Sequence, residues 1–177
     1  ISLYSLTVEP RTELAFQVKK GITKVAGEDM ATEQFELGQN SLKEAGFEQY
    51  EVSNYAKPGF ESQHNSAYWR DIHYDGIGPS AHSFNGKQRR WNVANNQRYM
   101  KGIEDGSVYW EYEDLSIEDR YNEYLLTGLR SKWGCDMDYI RNEFGEDLSM
   151  NTYLLKQINL GTVILDKGVV RLSESGM

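Results

Sequence analysis

The sequence predicts an α/β fold followed by a small helical unit, and three observations carry that expectation. A strand-like run, a helix and a second strand-like run succeed one another between Ile1 and Tyr55, the order of a βαβ unit in a parallel sheet. Ser107 to Asp114 then carries three aromatics and three acids with no clear period, and reads as a linker. Beyond it come helical segments, each closed by glycine, and two short β-branched runs joined by a turn. The expected domains are therefore 1–114 and 115–177.

Taken in order, Ile1 to Val8 is a β-branched and aromatic run that reads as a strand already under way, so the chain is expected to be a piece of a longer one. Glu9-Pro10 breaks it, because proline donates no N–H and restricts its predecessor. After a polar connection, a helix is expected from about Asp29, with Met30, Phe35, Leu37, Leu42 and Ala45 inward and Gly46-Phe47 as its stop. Gln49 to Tyr55 is the second strand, ended by Lys57-Pro58-Gly59. In a parallel sheet, ligands gather at the carboxyl ends of strands, here Thr7 to Glu9, Ser53 to Ala56 and the loop from Phe60. A helix from about Asn95 to Asp105 is closed by Gly106, with Tyr99 and Ile103 facing inward together. Ser116 caps a long helix through Trp133, with Asp119 three residues on. Helices at about Asp136 to Phe144 and Asn151 to Leu160 follow, then a hairpin of Val163–Leu165 and Val169–Leu172 around Asp166-Lys167-Gly168. That order is winged-helix-like.

Composition excludes several classes. With 27 acidic against 19 basic residues the net charge is −8, which opposes non-specific binding to nucleic acid or to an anionic membrane. From Ser116 to Met177 there are 7 basic and 10 acidic residues, so the winged-helix-like unit is not expected to read DNA. No run approaches the roughly 18 apolar residues of a membrane span. The single cysteine, Cys135, excludes a disulfide framework and points to a reducing cytoplasm. One thiol cannot hold an iron–sulfur cluster or a structural zinc. With no partner or histidine nearby in sequence, Cys135 is expected to be inert.

All three histidines fall between Gln63 and Phe84, together with Gly76, Gly78, Pro79 and the pair Tyr68-Trp69. Histidine is the commonest metal ligand, so the gathering marks a candidate site; hydrogen-bonded structural imidazoles are the competing reading. His73 reads as a surface residue.

Four motifs extend the argument. Ser-Leu-Tyr-Ser-Leu-Thr-Val-Glu-Pro at 2–10, Tyr-Glu-Val-Ser-Asn-Tyr-Ala-Lys-Pro-Gly at 50–59, His-Asn-x-x-Tyr-Trp at 64–69 and Gly-Ile-Gly-Pro-Ser-Ala-His-Ser-Phe at 76–84 stand in one order and spacing. Together they resemble the oxygen-independent coproporphyrinogen III oxidase-like proteins, a radical S-adenosylmethionine (SAM) family. Leu126 to Arg130 and Gly161 to Leu172 resemble that family's small C-terminal domain. The family's Cys-x-x-x-Cys-x-x-Cys motif is not in this chain. The resemblance therefore implies the C-terminal part of an incomplete (β/α) barrel plus the C-terminal domain, with the 4Fe-4S cluster and radical chemistry belonging to the full-length parent.

His-Asn-x-x-Tyr-Trp resembles the family's haem-chaperone branch. On that resemblance His64 is the candidate haem-iron ligand, with Asn65, Tyr68 and Trp69 around it, and the function implied is binding haem and passing it to an acceptor protein. Thr7 matches a SAM-contacting position, Tyr55 an aromatic position beside a second SAM, and Ala81 and His82 a loop contacting the first SAM. His82 departs from the apolar residue of the true oxidase. Gly76 and Gly78 are expected to let backbone approach a ligand. Two alternatives stay open: oxidative decarboxylation of coproporphyrinogen III by the full-length parent, and a winged-helix-like module for protein interaction.

Overall fold

The Thr12 hydroxyl accepts the Ala15 N–H at 3.2 Å and starts α1 (Glu13–Lys19), a helix inside what reads as a polar connection. The computed structural model describes residues 1–177, which fall into two units, Ile1–Glu61 and Ser62–Met177. In the first, α2 (Glu28–Glu44) stops where expected: Gly46 takes φ +76° and the Phe47 N–H closes on the Leu42 carbonyl at 2.9 Å. Met30 and Leu37, assigned inward by the period, stay exposed.

The expected single strand from Gln49 to Tyr55 is instead a hairpin, β1 (Glu48–Glu51) and β2 (Asn54–Ala56). Glu51, 2% exposed, causes the reversal. Its carboxylate accepts the Ser53 N–H at 3.0 Å and the Asn54 amide at 2.6 Å, so local side-chain bonds replace the ladder at Val52-Ser53. The N-terminal run meets β2, not β1. Ile1 and Tyr55 exchange backbone bonds of 2.8 and 2.9 Å, and Ser2 forms a single antiparallel bridge to Asn54. The expected parallel βαβ pairing is thereby corrected: the first run and β1 point the same way, but β2 lies between them and every pairing is antiparallel.

In the second unit, β3 (His82–Phe84), β4 (Gln88–Asn92) and β5 (Trp110–Asp114) make an antiparallel sheet in the order β3-β4-β5. They follow α3 (Gln63–Trp69), and α4 (Asn96–Asp105) bridges β4 to β5. The stretch expected to be a linker is largely β5. Cross-strand pairs support it: Arg89 stands opposite Glu113, and the Arg90 guanidinium lies 5.5 Å from the Trp110 ring. Gly106 (φ +73°) closes α4 as expected, and Tyr99 packs on Tyr109 at 5.1 Å, but Ile103 is 56% exposed and does not share its inward face.

Ser116 and Asp119 form a full capping box at the start of α5 (Ile117–Leu129). This helix ends four residues short of Trp133, because the Ser131 hydroxyl donates to the Gly128 carbonyl at 3.0 Å. Then come β6 (Cys135–Asp136), α6 (Met137–Phe144), α7 (Thr152–Asn159), β7 (Val163–Asp166) and β8 (Val169–Leu172). The last three strands form a sheet ordered β6-β8-β7, with Lys167 and Gly168 at φ +49° and +82° making the tight turn. Cys135, Ile140, Val163 and Val170 are its buried core. The 114/115 boundary expected from composition falls inside this unit. Arg89 on β4 is paired to Glu123 on α5 at 2.7 Å, the Arg130 guanidinium lies 5.7 Å from the Trp69 ring, and that of Arg70 lies 5.6 Å from Trp133.

Candidate functional site

The histidine-bearing stretch, read from sequence as a loop, begins with a helix. The Ser62 hydroxyl accepts the Asn65 N–H at 3.3 Å, and two turns of α3 follow. Helical spacing of four puts His64 and Tyr68 side by side on the exposed face. The Tyr68 hydroxyl lies 3.2 Å from His64 Nε2, and the rings meet edge-on at 4.9 Å. The Tyr68 ring rests on Tyr74 at 4.5 Å, and Tyr74 on Phe84 at 6.1 Å. Tyr74 is locked to β3 by two backbone bonds to Phe84, of 3.0 and 2.9 Å. A row of aromatic rings thus runs from the sheet to the exposed imidazole.

Behind that row sits a polar anchor. Burial pushes the Tyr74 hydroxyl above the usual tyrosine range, and the Arg89 guanidinium that reaches it offsets part of the effect. Arg89 is held by Glu123 at 2.7 Å and Glu113 at 3.5 Å. Asp71, at φ +54°, has its carboxyl pushed up by burial, opposed by Arg120, His73 and the Tyr139 hydroxyl. Arg120 itself pairs with Glu143 at 2.9 Å. Sequence reasoning missed Tyr74, Arg89 and Glu123, which come from three separate segments and carry no local signal.

The other expected site residues are placed as follows. Asn65 is half-buried on α3, and Trp69 turns away toward Arg130, its Nε1 enclosed without an acceptor. Half-buried Ala81 accepts the Asn92 N–H at 2.9 Å. His82 is exposed on β3 opposite Trp91, with ring centres 6.2 Å apart. Both line a cleft of ≈ 460 Å³ shared with Ser80, Asn92, Arg98 and Glu111. Gly76 is needed for close approach, but of β3 and not of a ligand: a Cβ there would overlap the His82 carbonyl. Gly78, at φ +106°, faces open space. His73 is exposed, as expected, and packs edge-on to Phe84 at 6.0 Å.

In the first unit, Thr7 is exposed in the extended run. Tyr55 is 2% exposed; burial raises its hydroxyl pKa, with Gln39 offsetting part of the effect and Glu51 adding to it. A separate cleft of ≈ 410 Å³ there is lined by Leu3, Tyr4, Leu6, Leu14 and Phe35, among others, and by neither Thr7 nor Tyr55.

Comparison with known proteins gives this geometry a context. Over 178 residues the chain is 32% identical to the haem chaperone HemW of Bacillus subtilis, covering 99% of this chain and 45% of that protein. It is a homologue of the HemW haem chaperones. The Mycobacterium tuberculosis HemW is 34% identical over 135 residues, covering 76% of this chain and 35% of the relative. Mouse mitochondrial radical S-adenosyl methionine domain-containing protein 1 is 48% identical over 82 residues, 46% of this chain and 19% of that protein. Among solved structures, Escherichia coli coproporphyrinogen III oxidase (HemN), described as a radical SAM enzyme, superposes with TM-score 0.58 at 15% identity. It covers 85% of this chain and 39% of that one, and shows a shared mixed α/β fold. No protein-family model matches. The chain spans less than half the length of these HemW relatives.

Which of the family's groups could this HemW-like chain hold? A 4Fe-4S cluster does not fit its residues: Cys135 is alone, fully buried, and pushed up to about 12 by desolvation. No three of its histidine, cysteine, aspartate and glutamate side chains converge on a metal position. A single bond to haem iron would make a smaller demand, and His64 would be the residue to hold it: an exposed imidazole with aromatic surface beside it. No helix is long and apolar enough to cross a membrane.

Proposed function

We propose that this chain binds haem through His64 and passes it to an acceptor protein, as part of a longer radical SAM protein of the haem-chaperone kind. The observation that carries the reading is the His64–Tyr68 pair on the open face of α3, in a chain whose relatives are named haem chaperones. Haem supplies an iron that takes one imidazole nitrogen as a ligand. The chain's own residues do the rest: the Tyr68 ring meets the imidazole edge-on, Asn65 stands beside it on the same helix, and the Tyr74–Phe84 row backs Tyr68 with aromatic surface.

The remaining roles belong to the same proposal. Thr7, Tyr55, Ala81 and His82 serve the SAM side of the full-length protein, whose 4Fe-4S ligands lie outside this chain. The residues up to 114 complete a (β/α) barrel there, and 115–177 act as a winged-helix-like appendage, in keeping with the helix, strand, two helices and hairpin from α5 to β8. The cytoplasm is the proposed setting, since a chain with one cysteine builds no disulfide framework of the kind used in oxidising compartments. Decarboxylation of coproporphyrinogen III is the less supported reading, because the likeness to the oxidase is one of fold at 15% identity.

The test is a haem titration of the chain and of His64→Ala, read by the Soret band, with circular dichroism to confirm folding. The wild type is expected to shift the band and the variant to lose that shift. An unshifted wild type, or an unchanged variant, overturns the proposal.

A further inference from the structure

The arrangement around His64 suggests how haem is let go. We propose that the Tyr68 hydroxyl is an internal competitor for His64 Nε2: it occupies this nitrogen in the free protein, is displaced when iron takes it, and recaptures it when haem leaves. This rests on the haem reading above and adds a release device to it.

Three features support the competitor role. First, the hydroxyl sits at Nε2, 3.2 Å away. Nε2 is also the ring nitrogen farther from the backbone, and so the one with room for a flat macrocycle; Nδ1 lies beside Cβ. Whether Nε2 accepts the tyrosine proton or donates its own to the tyrosine oxygen, it offers iron no free lone pair while that bond stands. Second, Tyr68 is 39% exposed, yet its ring is fixed from behind. Tyr74 meets it at 4.5 Å, and Tyr74 is in turn tied to β3 and reached by Arg89, which Glu123 holds at 2.7 Å. The hydroxyl therefore stays close to the imidazole after displacement, ready to return. Third, the bond is solvent-facing, so its net worth is that of an ordinary exchanged hydrogen bond and not of a buried one. That is enough to weaken ligation without preventing it.

Tyr68→Phe isolates the effect, since it keeps both ring contacts and deletes only the oxygen. Ferric haem is expected to dissociate from Tyr68→Phe roughly two- to tenfold more slowly than from the wild type, measured by transfer to apomyoglobin, because the lost competitor was worth about one hydrogen bond. A faster or unchanged off-rate overturns the proposal. A second measurement needs no haem: acylation of His64 by diethyl pyrocarbonate, followed at the His64 peptide by mass spectrometry, is expected to speed up by a similar factor in Tyr68→Phe. If His64→Ala leaves haem binding intact while this acylation still accelerates, the haem reading has failed and the Tyr68–His64 competition has not. If His64→Ala abolishes ligation but Tyr68→Phe changes neither rate, the competition alone has failed.

Discussion

Replacing Gly128 by alanine reverses the usual rule for helices. Alanine is the better helix former by about 1 kcal/mol, so the exchange inside α5 should stabilise an isolated helix. Here a Cβ would stand 2.5 Å from Cys135 Sγ and 2.9 Å from the Gly134 carbonyl oxygen. Neither neighbour yields easily: Cys135 is fully buried at the base of the β6-β8-β7 sheet, and the other atom is backbone. Overpacking of this kind costs about 1–3 kcal/mol, and two fixed neighbours put it at the upper end. The net loss is then about 2 kcal/mol, a fall in Tm of roughly 4–8 °C for a chain of this size. Thermal unfolding followed by circular dichroism reads it directly. In a Cys135→Ala background the cost of Gly128→Ala should shrink, since one of the two obstacles is gone. A Gly128→Ala protein that melts at or above the wild type would refute the close packing of α5 on β6.

Two further predictions follow from the titrating groups. The raised carboxyl of Asp71 means the folded state holds its proton more tightly than the unfolded one, so stability falls as pH rises from the ordinary aspartate range through the raised value. Asp71→Asn removes that loss and suits the positive φ, and is expected to raise Tm at pH 7 but not at pH 3; equal effects at both would remove burial as the cause. Cys135, with its thiol pushed up to about 12 and no exposure, should be inert to Ellman's reagent at pH 8 in the native protein and react at once in guanidinium; rapid native reaction would contradict its place in the core.

Much of the second unit is legible in the sequence because its signals are local. Ser116 with Asp119, Asn95 with Gly106, Asp136 with Gly145 and Lys167-Gly168 each satisfy a helix end or turn within a few residues, and all stand where expected. The misreadings share one cause, which is contact at a distance. β5 resembles a linker until β4 supplies Arg89 and Arg90 across from its acids and aromatics. The hairpin at Val52-Ser53 depends on a glutamate being buried, and no periodicity announces that. α3 is too short to show a helical period at all.

The same division holds at the site. Sequence alone singled out His64 and its neighbours as the candidate site, and determined that three cluster thiolates cannot come from one cysteine. It also determined the kinship, since motif order survives without any coordinates. Tertiary structure decided which nitrogen of His64 faces a hydroxyl, that Tyr74, Arg89 and Glu123 stand behind it, and that Gly76 makes room for β3 and not for a ligand. The physical reason is range: caps, turns and thiol counts are settled within a few residues of chain, whereas a hydrogen bond at 3.2 Å on an oriented ring needs supports that only folding brings together.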